Sequence, residues 1–278
     1  MAVTRVLRFL FVMIASFVVV GTGAVPVSAT PEPRAPSSIA ALGDSITQGF
    51  NACGWYLSCP SRSWSTGTHD AVNSHYARIL AANPDISGNR YNNSRNGAKV
   101  SDLERQAQLA VSQRAEYVTI LIGANDACTS TESGMTSVAA FEARFRTAMQ
   151  TLDNGLNRSS IFVASIPDIK RLWEVGKDSF AARTAWYLGS TCQSMLANPR
   201  STATADVERR DRVQQRVIDY NAVLAEVCGE YRRCRFDGNA VFSYRFTLNQ
   251  VSQWDYFHPN TAGQAILAEV TYQAGYGW

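Results

Sequence analysis

The strongest constraint in this chain is an alternation of short apolar runs, each halted by glycine or proline, with longer segments of helical spacing. Residues 38–42 run into Gly43, residues 117–122 stop at Gly123, and residues 161–166 stop at Pro167. Short apolar runs of this kind, the second dense in β-branched residues, read as strands buried on both faces. Weaker strand candidates lie at 90–95 and at Arg235-Phe236. Helical spacing predicts helices over 72–82, over 137–156 (Val138, Phe141, Phe145, Met149, Leu152) and over 206–231 (Val213, Val217, Tyr220, Leu224, Val227). Another opens at Ser101-Asp102-Leu103-Glu104, which has capping-box spacing, and runs to about Gln113. The last spans 261–274, after Pro259-Asn260. Strands alternating with helices imply α/β: a three-layer α/β/α sandwich around a central parallel sheet, flavodoxin-like in type. Sites in such folds form beyond the carboxyl ends of the strands.

The N-terminus reads as a bacterial export signal, 1–29: Arg5 and Arg8, then an apolar run from Phe9 to Val20, then Val27-Ser28-Ala29 for cleavage. The run falls short of the ~20 apolar residues of a membrane span. Proline-rich residues 30–37 read as a disordered leader, and 38–278 as one domain, long enough for a full-sized core. With 26 Lys+Arg against 23 Asp+Glu and no long basic run, nucleic acid is not the expected partner. Six cysteines in an exported chain favour disulfides. Proximity suggests Cys53–Cys59 and Cys228–Cys234 as small clips, which leaves Cys128–Cys192 as the long-range link. Zinc is disfavoured, because no Cys-x-x-Cys pair occurs and histidines are scarce.

Three motifs supply the residue types that acyl transfer needs. Gly43-Asp44-Ser45-Ile46-Thr47 offers a hydroxyl, Gly123-Ala124-Asn125-Asp126 an amide, and Asp255-Tyr256-Phe257-His258-Pro259 a base with a carboxylate three residues before it. A serine hydroxyl needs such a base at neutral pH, and the chain has only three histidines. His258 is the candidate. His75 reads as a partly exposed helix residue and His69 as a surface loop residue. Asp44 can also be read as a turn cap.

In order and placement these motifs resemble the SGNH, or GDSL, hydrolase superfamily, across nearly the whole of 38–278. The resemblance implies Ser45 as nucleophile, with His258 as base and Asp255 as its orienter. It also implies an oxyanion hole from the Ser45 and Gly97 backbone N–H groups and the Asn125 amide, Gly97 being matched through Asn93-Ser94-Arg95-Asn96-Gly97. No metal or organic cofactor is implied. Arg62-Ser63-Trp64-Ser65-Thr66-Gly67, Asn83-Pro84 and Ser165-Ile166-Pro167-Asp168 resemble the phospholipase-B-like and secreted actinobacterial esterase branches. The implied activity is that of a secreted esterase or lipase. It would act as a monomer on small-molecule or lipid esters, with transient contact at lipid surfaces. Alternatives with the same triad are a carbohydrate O-deacetylase or an acyltransferase, and a non-catalytic secreted binding protein.

Two further segments have open readings. The loop 50–70, with Trp55, Tyr56, Leu57 and Trp64, is either a surface loop over the core or a wall of the acyl pocket. Segment 173–212 is either a cap reaching an anionic head group or helical padding with solvated arginines.

Overall fold

The computed structural model describes residues 34–278 together with Met1; the rest of the expected signal and residues 30–33 of the leader lie outside the described residues. Five strands, β1 (Ile39–Gly43), β2 (Arg90–Asn92), β3 (Tyr117–Leu121), β4 (Ser160–Val163) and β5 (Cys234–Phe236), form one sheet in the order β2-β1-β3-β4-β5. All neighbours are parallel. The helices are α1 (His75–Ala82), α2 (Leu103–Ser112), α3 (Ala124–Ala127), α4 (Val138–Gly155), α5 (Ile169–Gly176), α6 (Phe180–Leu188), α7 (Gln193–Leu196), α8 (Thr204–Gly229), α9 (Ala240–Ser243) and α10 (Thr261–Ala274).

Every residue of β1 and β3 is buried, as strands covered on both faces require. On β3, Tyr117 and Thr119 share one face: Tyr117 meets α1 through His75, and Thr119 meets Ser65. Val118 and Ile120 are left for the opposite layer, in which α2 packs on α4 and α4 on α8. The chain passes from β1 to β2 on one side and then to β3 on the other. The order therefore reverses between β1 and β3, the point at which open α/β sheets form their crevice. Gly43 and Leu121 are in register at the ends of these strands. Gly43 has φ +150°, and a Cβ there would stand 2.3 Å from the Leu121 carbonyl oxygen, so only glycine lets the strands end this close.

Several expectations need correction. α1 starts at His75 because Ser74 caps it, accepting from the Ala77 N–H; Val72 lies in the preceding turn, buried. Ser101 caps nothing. A short 3₁₀ turn (Val100–Asp102) precedes α2, and the Asp102 carboxylate accepts from the Lys99 N–H at 2.9 Å. β2 ends at Asn92. His75 is 1% exposed rather than partly open, with Nδ1 3.0 Å from the Tyr117 hydroxyl and Nε2 2.8 Å from Thr271. It ties α1 to β3 and α10, and burial, with nearby Arg78, pushes its pKa down to about 3. Residues 34–37 of the expected leader are held in place. The Asn83 amide donates to the Ala35 and Pro36 carbonyls, and the Ser37 N–H donates to Glu116.

The arginines of segment 173–212 are not all solvated. Arg210 is 2% exposed, stacks over Trp173 and donates to the Ser201 carbonyl at 2.7 Å. Arg209 donates to the carbonyls of Gln193, Ser194 and Ala197 and pairs with Asp206. These side chains fasten the turns around α7 onto α8. Disulfides join Cys53–Cys59, Cys128–Cys192 and Cys228–Cys234. Among the described residues no helix is long and apolar enough to cross a membrane.

Candidate active site

Ser45 sits in the turn after β1, Asn125 at the head of α3 after β3, and His258 in the loop before α10. The fold brings all three to one cleft of about 260 Å³, lined also by Phe50, Gly97 and Cys192. The Ser45 Oγ lies 2.7 Å from His258 Nε2, and His258 Nδ1 lies 2.6 Å from Asp255 Oδ2. A hydroxyl on one imidazole nitrogen and a carboxylate on the other form the arrangement that activates a hydroxyl by general-base catalysis.

Asp255 is held on every side. Its Oδ1 accepts from the Phe257 and His258 N–H groups, and its Oδ2 accepts from the Asn51 amide at 2.6 Å as well as from the ring. Burial alone would raise its pKa. The His258 hydrogen bond, that ring's charge and the two backbone N–H groups outweigh burial and hold the carboxyl below its usual range. Tyr256 takes φ +52° to close this tight turn, a conformation costly for a bulky residue. Its strain is offset by the anchoring of the turn: Ser252 exchanges backbone bonds with Tyr256 and His258, and Trp186 donates to the Tyr256 carbonyl.

On the opposite wall, Gly97 has φ +74° and open space where a Cβ would be. The backbone N–H groups of Ser45 and Gly97 donate to no acceptor among the described residues. Asn125 Nδ2 donates one hydrogen to the Ala98 carbonyl at 3.0 Å, which aims the amide and leaves its second hydrogen available. Residues bearing three such donors therefore line the cleft that holds one hydroxyl, a set suited to a developing oxyanion.

Four residues that the motifs did not single out, or singled out without a role, hold this geometry. Gln106 of α2 pairs with Gly43 as a strand would: it accepts from the Gly43 N–H at 2.7 Å and donates to the Gly43 carbonyl at 2.9 Å. Gln264 of α10 donates to the Ile46 carbonyl and accepts from the Trp64 N–H, which links the Ser45 turn to the helix that follows His258. Asn51 orients Asp255. Asp126, buried, accepts from the Val100 N–H and the Thr136 hydroxyl, and so fixes the Asn125 turn against the Gly97 loop. Burial pushes the Asp126 pKa up against those bonds.

Asp44 is more than a turn cap. It is fully buried, its Oδ1 accepts from the Ile46 N–H, and its Oδ2 has no partner. Burial pushes its pKa up to about 7 despite the Ile46 bond and the nearby His258 charge. Trp64 is 0% exposed and donates to the Thr47 hydroxyl, so it belongs to the core and not to any pocket wall. Trp55 is 65% exposed and stands beside Trp254 at the surface. His69 is a half-buried loop residue whose Nδ1 accepts from the Ala71 N–H, away from this cluster. Segment 173–212 does reach the cleft, through Thr191 and Cys192, with the Cys128–Cys192 bond joining it to the Asn125 turn.

The sequence matches the family model of GDSL-like lipase/acylhydrolase over residues 39–271. The chain belongs to this family. Among curated proteins none matches the sequence. Among solved structures the chain is similar to a lipase from a goat rumen metagenome, at 15% identity over 86% of this chain and 97% of that one, with a TM-score of 0.53. It is similar to a phospholipase A1 of Streptomyces albidoflavus, at 16% identity over 87% and 100% of the two chains, with a TM-score of 0.50. A family two carbohydrate esterase of Clostridium thermocellum is similar at 14% identity over 87% of this chain and 64% of that one, with a TM-score of 0.51. At these identities the likeness concerns the fold.

Proposed function

We propose that this chain is a secreted serine esterase or lipase that hydrolyses carboxylic esters of acyl lipids, phospholipids included, through an acyl-enzyme. The observation that carries the reading is the unbroken path from the Ser45 hydroxyl through both His258 nitrogens to Asp255, with contacts of 2.7 and 2.6 Å. His258 Nε2 takes the hydroxyl proton as Ser45 Oγ bonds to the ester carbonyl carbon. Asp255 keeps the Nδ1–H tautomer and stabilises the imidazolium. The carbonyl oxygen, now negative, accepts from the Ser45 and Gly97 N–H groups and from Asn125 Nδ2. Collapse breaks the bond to the alcohol oxygen, which takes the proton from His258. Water enters, gives a proton to His258 and adds to the acyl carbon; the second collapse frees the acid and restores the Ser45 hydroxyl.

The fold itself is shared by lipases and carbohydrate esterases, so the substrate class rests on the site's surroundings. The Phe50 and Phe257 rings stand 4.9 and 5.0 Å from the His258 ring, which makes the walls beside the base apolar. Export is supported by the N-terminal apolar run and by the three disulfides, which persist in oxidising compartments. Ser45→Ala is expected to abolish both p-nitrophenyl ester hydrolysis and labelling by a serine-directed fluorophosphonate while the circular dichroism spectrum is unchanged. Retention of hydrolysis and labelling would refute the proposal.

A further inference from the structure

Behind the residues of the cleft lies a second, narrower space between α5 and the 246–251 segment. It measures about 70 Å³, several times the ~10–15 Å³ that one water needs. Its inner wall is made of the immediate neighbours of the three cleft residues: Ile46 beside Ser45, Ala124 beside Asn125, and Phe257 and Pro259 on either side of His258. Phe257 lines both spaces. Leu172 and Val175 of α5 form the far wall.

The lining is mostly apolar, and its two polar side chains, Asp168 and Gln250, already have partners. Asp168 Oδ1 accepts from the Arg171 N–H as the cap of α5, and its Oδ2 faces Arg245 at 3.7 Å. Gln250 Oε1 accepts from the Thr247 N–H, and its Nε2 donates to the Tyr244 hydroxyl. A sugar or a head group placed here would lose hydrogen bonds to water and find few in return. An alkyl chain would lose nothing and gain apolar contact.

We propose that this space receives the acyl chain of the ester, which passes along the Phe257 ring into the slot walled by Leu172 and Val175. Chain-length preference is then set by α5 and not by the aromatic loop at Trp55. The inference rests on the esterase reading, and it names the part of the site that selects the acyl group.

The test uses p-nitrophenyl esters from acetate to octanoate, so that only the acyl part varies. Each methylene withdrawn from water is worth about a fourfold gain in kcat/KM. The wild type should therefore rise by about tenfold or more from acetate before the slot is filled. Leu172→Trp should lower the octanoate-to-acetate ratio by about tenfold, and Leu172→Ala should move the optimum to longer chains. Trp55→Ala, outside the slot, should keep the wild-type ratio. If Leu172→Trp fails to fold, Leu172→Ala decides alone. The proposal is overturned if both Leu172 variants keep the wild-type profile, or if Trp55→Ala is the variant that changes it. It is also overturned if only acetate esters of lengthening alcohols respond to Leu172. Failure of the wild type to label with fluorophosphonate would strike the esterase reading instead.

Discussion

Asp44 offers a quantitative test of the site's energetics that does not depend on substrate. Its carboxylate is buried beside Ser45, with one oxygen bonded to the Ile46 N–H and the other without a partner. Burial raises its pKa from the ordinary 3.8 to about 7. At about 1.4 kcal/mol per pH unit, holding this group ionised in the fold costs about 4 kcal/mol above pH 7. The sign follows from proton counting. Between pH 3.8 and 7 the folded chain keeps a proton that the unfolded chain has lost, so the stability Asp44 contributes is complete below 3.8 and is lost as pH rises through 7. His75 works in the opposite direction. Its pKa falls from 6.5 to about 3, so the stability it contributes is complete above 6.5 and is lost as pH falls through 3.

Asp44→Asn separates the two, because His75 is common to both proteins and cancels in their difference. Asparagine keeps an acceptor for the Ile46 N–H but carries two amide hydrogens where the protonated carboxyl carries one, with no acceptor at that side, at a cost of about 1–3 kcal/mol. Urea denaturation of wild type and Asp44→Asn, with disulfides intact, should be followed from pH 4 to pH 8. Near pH 4 the variant should be less stable by about 1–3 kcal/mol. By pH 8 the difference should have moved about 4 kcal/mol in the variant's favour, leaving it the more stable protein. A difference independent of pH would mean that Asp44 titrates as an ordinary exposed carboxylate, and the argument from burial would fail.

Two further outcomes are expected. Asn125→Ala should lower kcat by about 10²–10³ with KM little altered if, as proposed, its free amide hydrogen meets charge that exists only in the transition state; a steady-state kcat within about fivefold of wild type would refute the role. Replacing Cys128 and Cys192 by serine opens a link between residues 64 apart and should cost about 2–4 kcal/mol in urea denaturation. Because Cys192 also walls the cleft, the same variant should show a raised KM for p-nitrophenyl esters, and an unchanged KM would mean that the wall holds without the bond.

What the sequence revealed, and what it hid, divides along one physical line. Side-chain periodicity reports which face of an element is buried, so α4, α8 and α10 were legible to within a few residues of their ends, as were β1, β3 and β4. Strand ends halted by glycine also announced where chemistry could emerge, because such strands are too buried to carry it themselves. Periodicity says nothing about a polar side chain that is buried because it imitates backbone. Gln106 and Gln264 each present a donor and an acceptor from one carboxamide, as a peptide unit does, and they complete hydrogen bonds that Gly43 and Ile46 cannot make within the sheet. His75 was misplaced for the same reason: both its ring nitrogens are satisfied inside the core, on Tyr117 and Thr271, and Trp64, whose place was open, is likewise satisfied there on Thr47. A turn that must project Ser45 beyond the sheet leaves backbone groups unpaired just where burial is greatest. The glutamines from α2 and α10 are the answer to that deficit, and so the helix carrying Gln264 is also the one that follows His258. One helix thus sets the height of the hydroxyl and the position of the base together, which is how residues from opposite ends of the chain come within hydrogen-bond distance.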